Sequence, residues 1–456
     1  MLGIGEPANL ESKTHPIAYS LLTVGIVVGT IALFVAGARR VQALPSYARQ
    51  TGQECAACHN GFPELTPYGR EFKLNGYTFG GGTSDYPPFA VMTYGSVTHT
   101  QAAQPGGAAP HFGANDNFAL DQTSLFYGGA IAPNLGAFAQ VTYDGVARAL
   151  GWDNTDIRYA RTANIFGAET VLGVSLNNNP TVQDLWNTTP AWSFPFVASA
   201  LAPSPAAATM IEGGFAQQVA GLTTYADWNR LIYLEIGGYK TLSPKTQSAL
   251  GAYSPGNSAI DGGAPYWRLA LQHDWDRNSL EAGVFGMTAS ITPQRLTGFG
   301  SDRLTDIGLD TQYQFLADRN SFSFQGSAIF ENQNLDASSN PALGLASNGH
   351  NTLRSLHAKA TYFYEQTYGA TLGVFRVDGT PDATLYPNAS GNNSPNSTGL
   401  IGELDYIPFN NGGPSFWRWM NLKLGIQYIY YPQFNGMTGR AAANNNTLFA
   451  FAWLAF

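Results

Sequence analysis

Cysteine is nearly absent from this sequence: Cys55 and Cys58 are the only two in 456 residues. So few thiols exclude a disulfide scaffold and a zinc site built from two cysteine pairs, and leave a single C-x-x-C to explain. Charge is scarce too. Asp, Glu, Lys and Arg make up 12% of the chain, about half the ~25% of ordinary soluble domains. Long apolar runs, which would accompany low charge in a helical membrane protein, are also missing. Only residues 17–38, IAYSLLTVGIVVGTIALFVAGA, reach the roughly 18 apolar residues that a membrane helix needs. There is no basic surplus: at a net charge of −8 the chain has no patch to neutralise phosphates, which excludes nucleic acid as a partner and allows cations. Nor does the chain contain an H-E-x-x-H, a P-loop or a G-x-S-x-G.

Aromatics are plentiful, at 13%, and glycine reaches 51 residues. Low charge, many aromatics and no repeated long apolar run together suit a transmembrane β-barrel, whose lipid-facing and lumen-facing residues alternate and cancel in any window average. From Phe89 onward the chain alternates with period 2. In YWRLALQHDW, residues 266–275, one face carries Trp267, Leu269, Leu271, His273 and Trp275, and the other Tyr266, Arg268, Ala270, Gln272 and Asp274. LHAKATYFY (356–364) and LKLGIQYIY (422–430) alternate in the same way. A soluble β-sandwich also alternates, but connection lengths favour the barrel. Short turns at 133–136, 227–230, 276–279, 318–321 and 365–369 intervene between long Gly, Asn, Pro and Ser-rich stretches at 102–116, 179–206, 243–263, 335–350 and 381–395. In outer-membrane barrels short turns are periplasmic and long loops extracellular. Strands starting near 89, 117, 136, 154, 167, 215, 230, 264, 279, 303, 320, 351, 368, 396, 416 and 446 number sixteen, and the chain ends on an apolar strand with Phe456 last. The expected fold is therefore all-β: an antiparallel transmembrane barrel of about 16 strands over 89–456, with an aqueous lumen.

Residues 1–43 read as an export signal cleaved after Val41-Gln42-Ala43, or as a retained anchor. Residues 44–88 are too few to bury a convincing core unaided. They contain C-x-x-C-H, the attachment site of c-type haem. Cys55 and Cys58 would add to the porphyrin vinyl groups and His59 would bind the iron. A disulfide or redox pair needs no histidine, and zinc needs further ligands. The predicted cofactor is one covalent haem c. It supplies the missing core, and the segment sits at the periplasmic mouth or plugs the lumen.

The stretch ARQTGQECAACHNGFPELTPYGREFKLNGY, residues 48–77, resembles the haem segment of fused outer-membrane cytochrome-porins of iron-oxidising bacteria, in which a small mono-haem cytochrome precedes a barrel. Ala48, Arg49, Gln50 and Thr51 carry the likeness before the motif, and Pro63, Leu65, Gly69, Arg70, Phe72, Lys73, Gly76 and Tyr77 after it. The barrel matches in length and architecture only. The resemblance implies electron transfer at the outer membrane, from extracellular Fe(II) or another donor to a soluble periplasmic cytochrome. A diffusion porin with a cytochrome plug, and a haem-based sensor or peroxidase, stay open as alternatives.

Around the haem, Phe62, Tyr68, Phe72 and Tyr77 are available to pack on the porphyrin, and Arg49, Arg70 and Lys73 to pair with its propionates. Met92, His99 and His111 are the candidates for the sixth iron ligand, with Met92 and His99 on opposite faces of the first strand. Asp153, Asp156, Asp184 and Asp261 read as loop carboxylates able to attract cations.

Overall fold

The computed structural model describes residues 45–80 and 87–456, so the predicted signal or anchor over 1–43 lies outside the described residues. Sixteen long strands run in chain order: β1 Phe89–Thr100, β2 Asn117–Ala132, β3 Leu135–Asp144, β4 Ala149–Ile165, β5 Ala168–Asn177, β6 Val219–Trp228, β7 Ile232–Thr241, β8 Ala264–Trp275, β9 Asn278–Thr292, β10 Asp302–Leu316, β11 Asn320–Asn334, β12 His350–Tyr364, β13 Tyr368–Gly379, β14 Ser397–Tyr406, β15 Asn421–Phe434 and β16 Thr447–Ala455. Each pairs antiparallel with the next, and β16 closes on β1 through Trp453 opposite Tyr94 and Phe449 opposite Thr98. The two-residue strands Ala259–Ile260 and Met437–Thr438 join the same ladder.

Closure leaves no row of unpaired backbone groups, which is what a bilayer demands of a structure that crosses it in strands. The alternation falls as the sequence predicts. Trp267, Leu269, Leu271 and Trp275 are exposed outside, while Tyr266, Arg268 and Ala270 are buried inside. Among the described residues no helix is long and apolar enough to cross a membrane.

Three strand starts differ from expectation by four or five residues, β6 beginning at Val219 rather than near 215. Strand β4 begins at Ala149 rather than near 154. Strand β15 begins at Asn421 rather than near 416, because residues 407–420, IPFNNGGPSFWRWM, carry prolines and paired glycines that interrupt a ladder although their aromatics imitate alternation. That connection leaves β14 on the side of the short turns and meets the N-terminal segment, where its Asn410 carbonyl accepts from the Ala56 N–H at 3.0 Å.

The lumen is occupied from both ends, and the segment takes the second of its two expected places, inside the barrel. From the short-turn side enters the segment 45–80, with three short helices: α1 Pro45–Thr51, α2 Cys55–Cys58 and α3 Pro67–Leu74. It touches the wall around much of its circumference. Glu64 pairs with Lys359 of β12 at 2.6 Å, Arg70 donates to Gln312 and Gln314 of β10 at 2.8 Å each, and Tyr77 donates to Asp156 of β4 at 2.6 Å. From the other side the connection 178–218, expected as an extracellular loop, folds inward. Asp184 accepts from the N–H groups of Trp186, Thr188 and Thr189 and lies 3.6 Å from Arg268, while Glu212 bonds Ser355 and His357. Segment and loop meet where the Lys73 ammonium donates to the carbonyls of Val182 and Asp184, both at 2.7 Å.

Breaking a buried pair strands its partner charge, at roughly 3–5 kcal/mol. Lys359→Met therefore leaves Glu64 unpaired and should loosen the segment. Trypsin cleavage after Arg49 or Lys73 in the folded, detergent-solubilised barrel should become easy, where wild type resists. Equal resistance would show that the pair does not hold the plug.

Acid should act on the same contacts. Burial works to raise the Glu64 carboxyl, but Lys359 with Gln314 and Ser323 holds it below its ordinary 4.5; burial likewise opposes, and His357 outweighs it, at Glu212. A depressed carboxyl contributes stability above its ordinary value and loses it as pH falls through the depressed one. Single-barrel conductance in planar bilayers is expected to be small at neutral pH and to rise well below pH 4.5. A conductance that stays flat at every acid pH at which the barrel itself remains folded would contradict this.

Candidate cofactor cavity

The C-x-x-C-H stretch folds into one helical turn and a tight return. In α2 the His59 N–H donates to the Cys55 carbonyl at 2.8 Å, then His59 and Leu65 bridge antiparallel around 60–64. Thr66 fastens α2 to α3: its Oγ1 accepts from the Gly69 N–H at 3.3 Å and donates to the Ala57 carbonyl at 2.6 Å, and its own N–H donates to the Cys58 carbonyl at 2.9 Å. Pro67 opens α3, where a missing N–H costs nothing. Gly69 is the point of closest approach, since a Cβ there would meet the Cys58 carbonyl oxygen at 2.3 Å. Any larger residue must push the two helices apart.

His59 is oriented by this return. Its Nδ1 bonds the Pro63 carbonyl at 2.9 Å, which places the proton on Nδ1 and leaves Nε2 basic, the state in which a histidine binds metal. Burial pulls the imidazole down to about 4, against opposing backbone hydrogen bonds, so the ring is neutral at pH 7. Burial also pushes the Cys58 thiol up to about 12. Cys55 and Cys58 are both buried and are not joined in a disulfide.

Beside His59 opens a cavity of about 380 Å³, within the ~300–1,000 Å³ of small-molecule sites. The N-terminal segment contributes Cys58, His59, Phe62, Phe72, Lys73 and Tyr77. The barrel wall adds Met92 and Tyr94 from β1, Phe126 from β2, Phe138 from β3 and Trp453 from β16, and the inward loop adds Trp192 and Phe196. Phe62 lies edge-on to the His59 ring at 5.1 Å between centroids and against Trp453 at 4.8 Å.

Not every predicted residue is at the cavity. Of the three distal candidates only Met92 lines it, 9% exposed on the inner face of β1. His99 points outward and pairs with Asp116 at 2.6 Å, and His111 is exposed in the connection 101–116. Cys55 packs against Ala48 and Trp419 behind the turn. Arg70 is spent on the barrel wall, Arg49 bonds the carbonyls of Pro87 and Phe89, and Tyr68 packs near Phe79. Lys73 is present, but its ammonium is held by the two loop carbonyls. Asp156 and Asp184 are not open carboxylates: they are buried beside Arg158 at 2.7 Å and Arg268 at 3.6 Å. Asp153 does line the cavity, and Asp261 accepts from Ser301 at the surface. The wall and loop aromatics were not foreseen, and they had no local signal beyond an inward parity on each strand.

No family model and no curated protein matches the sequence. Solved structures to which the chain is similar include OmpF of Salmonella typhi in complex with daunomycin, at 13% identity and TM-score 0.44 over 81% of this chain and 97% of that one. The anion-selective porin of Comamonas acidovorans gives 12% and 0.44 over 80% and 98%, and OmpT of Vibrio cholerae 8% and 0.40 over 81% and 96%. At these identities the likeness is one of fold.

Among the described residues no three His, Cys, Asp or Glu side chains gather to hold a metal ion. The cavity is lined by Cys58, His59, Met92 and Asp153 as possible donors, but they do not form the closed cluster that a bare ion needs. A macrocycle that brings its own four nitrogens fits this set, and aromatic walls fit its faces.

Proposed function

We propose that this chain is an outer-membrane mono-haem cytochrome fused to its own barrel, which takes single electrons from an extracellular donor, Fe(II) by the resemblance of residues 48–77, and passes them to a periplasmic cytochrome. The observation that carries this reading is that Cys58, His59 and Met92 line one aromatic cavity, with His59 Nδ1 taken up by the Pro63 carbonyl. A haem held there supplies a one-electron couple within an otherwise insulating layer. Cys58 would fasten it at the cavity and Cys55, behind the turn, only once that turn shifts to present it; His59 would ligate through Nε2 with Pro63 fixing the ring, and Met92 would be the second protein ligand. Phe62 and Trp453 exclude water from the His59 side. Lys73 is the one predicted propionate partner in reach, and its ammonium is supplied with carbonyl acceptors until a carboxylate competes for it.

The filled lumen speaks against the diffusion-porin alternative, since the segment and the inward loop oppose passage of solutes while leaving electron tunnelling unaffected. The methionine at the cavity speaks against a sensor or peroxidase, which needs an open iron position. Because short turns mark the periplasmic side of such barrels, the segment would face a soluble redox partner there. An optical redox titration of the purified protein in detergent tests the reading. Fe(II) should develop a low-spin ferrous c-type spectrum. Absence of covalent haem would leave a plugged barrel and end this proposal; haem that Fe(II) never reduces would remove Fe(II) as donor.

A further inference from the structure

Above the cavity, toward the long loops, the inner wall holds two buried oxygen groups, the Asp121 carboxylate and the Ser96 hydroxyl, with no partner beyond each other. Strand β2 carries a bulge there: Tyr94 of β1 pairs with Gln122 and Gly95 with Leu120, leaving Asp121 over. A bulge re-aims the side chains around its extra residue, and here Gln122 lines the cavity with Tyr94 while Asp121 is buried next to it. Asp121 is 5% exposed, and its carboxylate has the Ser96 hydroxyl beside it but no basic or amide side chain as a donor among the described residues. Ser96, 2% exposed, has no other partner, and Asp144 is a second acid that acts on Asp121. Asp144 lies opposite Gln122 in the β2–β3 register, and its Oδ1 is occupied by the Val146 and Ala147 N–H groups at 2.8 Å, leaving Oδ2 over.

A buried carboxylate whose one side-chain donor is a hydroxyl is costly unless a proton or a cation joins it. We propose that Asp121, with the Ser96 hydroxyl and the Gln122 and Asp144 side-chain oxygens, binds one hard divalent cation at the long-loop edge of the cavity. All four donors are oxygens, which selects a hard ion. Only two are carboxylates, so water completes the shell and the dissociation constant is on the order of 10⁻⁴ M. Insofar as it rests on the electron-transfer reading, this is where a cationic donor would be held at the long-loop edge, reached past the exposed Asp144 and beside Tyr94 and Gln122 of the cavity wall.

Mn(II), which resembles such ions and is readily followed by electron paramagnetic resonance, is the probe. Titrated into the full chain in detergent, it should occupy one site that Asp121→Asn weakens by about tenfold or more, with β-sheet circular dichroism unchanged. Should Asp121→Asn fail to fold, Asp144→Asn, on the more exposed side, carries the same expectation. Wild-type protein that leaves Mn(II) free, or a folded Asp121→Asn protein that binds as tightly, overturns the site and makes Asp121 a protonated acid. Haem content is measured on the same samples. Bound Mn(II) without haem defeats the electron-transfer reading alone, and haem without a Mn(II) site defeats this one alone.

Discussion

The double substitution Cys55→Ala, Cys58→Ala is expected to abolish covalent haem completely while leaving the barrel folded. The chain has no other thiol to take over attachment, so the effect is all or none. Haem-linked peroxidase staining on a denaturing gel should be strong for wild type and absent for the variant. The strand ladder runs from Phe89 to Ala455 and uses neither cysteine, so β-sheet circular dichroism should persist. Staining that survives in the variant would disprove attachment through these residues. His59→Ala is the companion: thioethers can still form, but the iron loses its proximal ligand, so the stain remains and the low-spin spectrum goes.

Met92→Leu should convert a low-spin haem to a high-spin one. Leucine matches methionine in volume, so the packing around Phe62, Phe126 and Trp453 is kept and the cost in stability stays below ~1.5 kcal/mol. What is removed is the thioether sulfur. Axial ligands set haem potentials over a range of ~0.8 V, and loss of methionine should lower the midpoint by on the order of 0.1 V. Both changes are read in one spectroelectrochemical titration. An unaltered low-spin spectrum would mean that another side chain ligates the iron. His99→Ala and His111→Ala are expected to change nothing, because one side chain faces outward beside Asp116 and the other is exposed in a connection.

The barrel was legible because period-2 alternation is a local property. At YWRLALQHDW each residue's side is decided by its parity, and the structure keeps Trp267 and Leu269 outside and Tyr266 and Arg268 inside. The misplaced start of β15 shows the limit of that rule. Phe416, Trp417 and Trp419 alternate well enough in composition, but Pro408, Gly412, Gly413 and Pro414 prevent pairing, and the stretch becomes a platform under α2 instead.

The attachment motif was equally local: two thiols and a histidine within five residues. Its neighbours were legible only in part. Phe62, Phe72, Lys73 and Tyr77 lie at the cavity because the return at 59–65 and α3 fold them towards it, whereas Arg49 and Arg70, no less suited in type, are drawn off by backbone carbonyls and by Gln312 and Gln314. Nothing within the segment reveals that competition. For Arg70 it comes from Gln312 and Gln314, 242 and 244 positions away, and for Arg49 from Pro87 and Phe89, 38 and 40 positions away.

By itself, then, the sequence determined the strand count and the inside and outside of each strand, and it singled out the C-x-x-C-H on which the haem proposal rests, since all three depend on neighbours within a few positions. Tertiary structure alone decided that the loop 178–218 turns into the barrel, that Met92 rather than His99 meets the cavity, and that Asp121 lies buried beside Ser96. Each of these depends on contacts between distant parts of the chain: a loop with no periodicity turns inward because Arg268, Asp306 and Glu331 wait on the wall to receive it, and a bulge redirects a carboxylate that alternation alone does not single out.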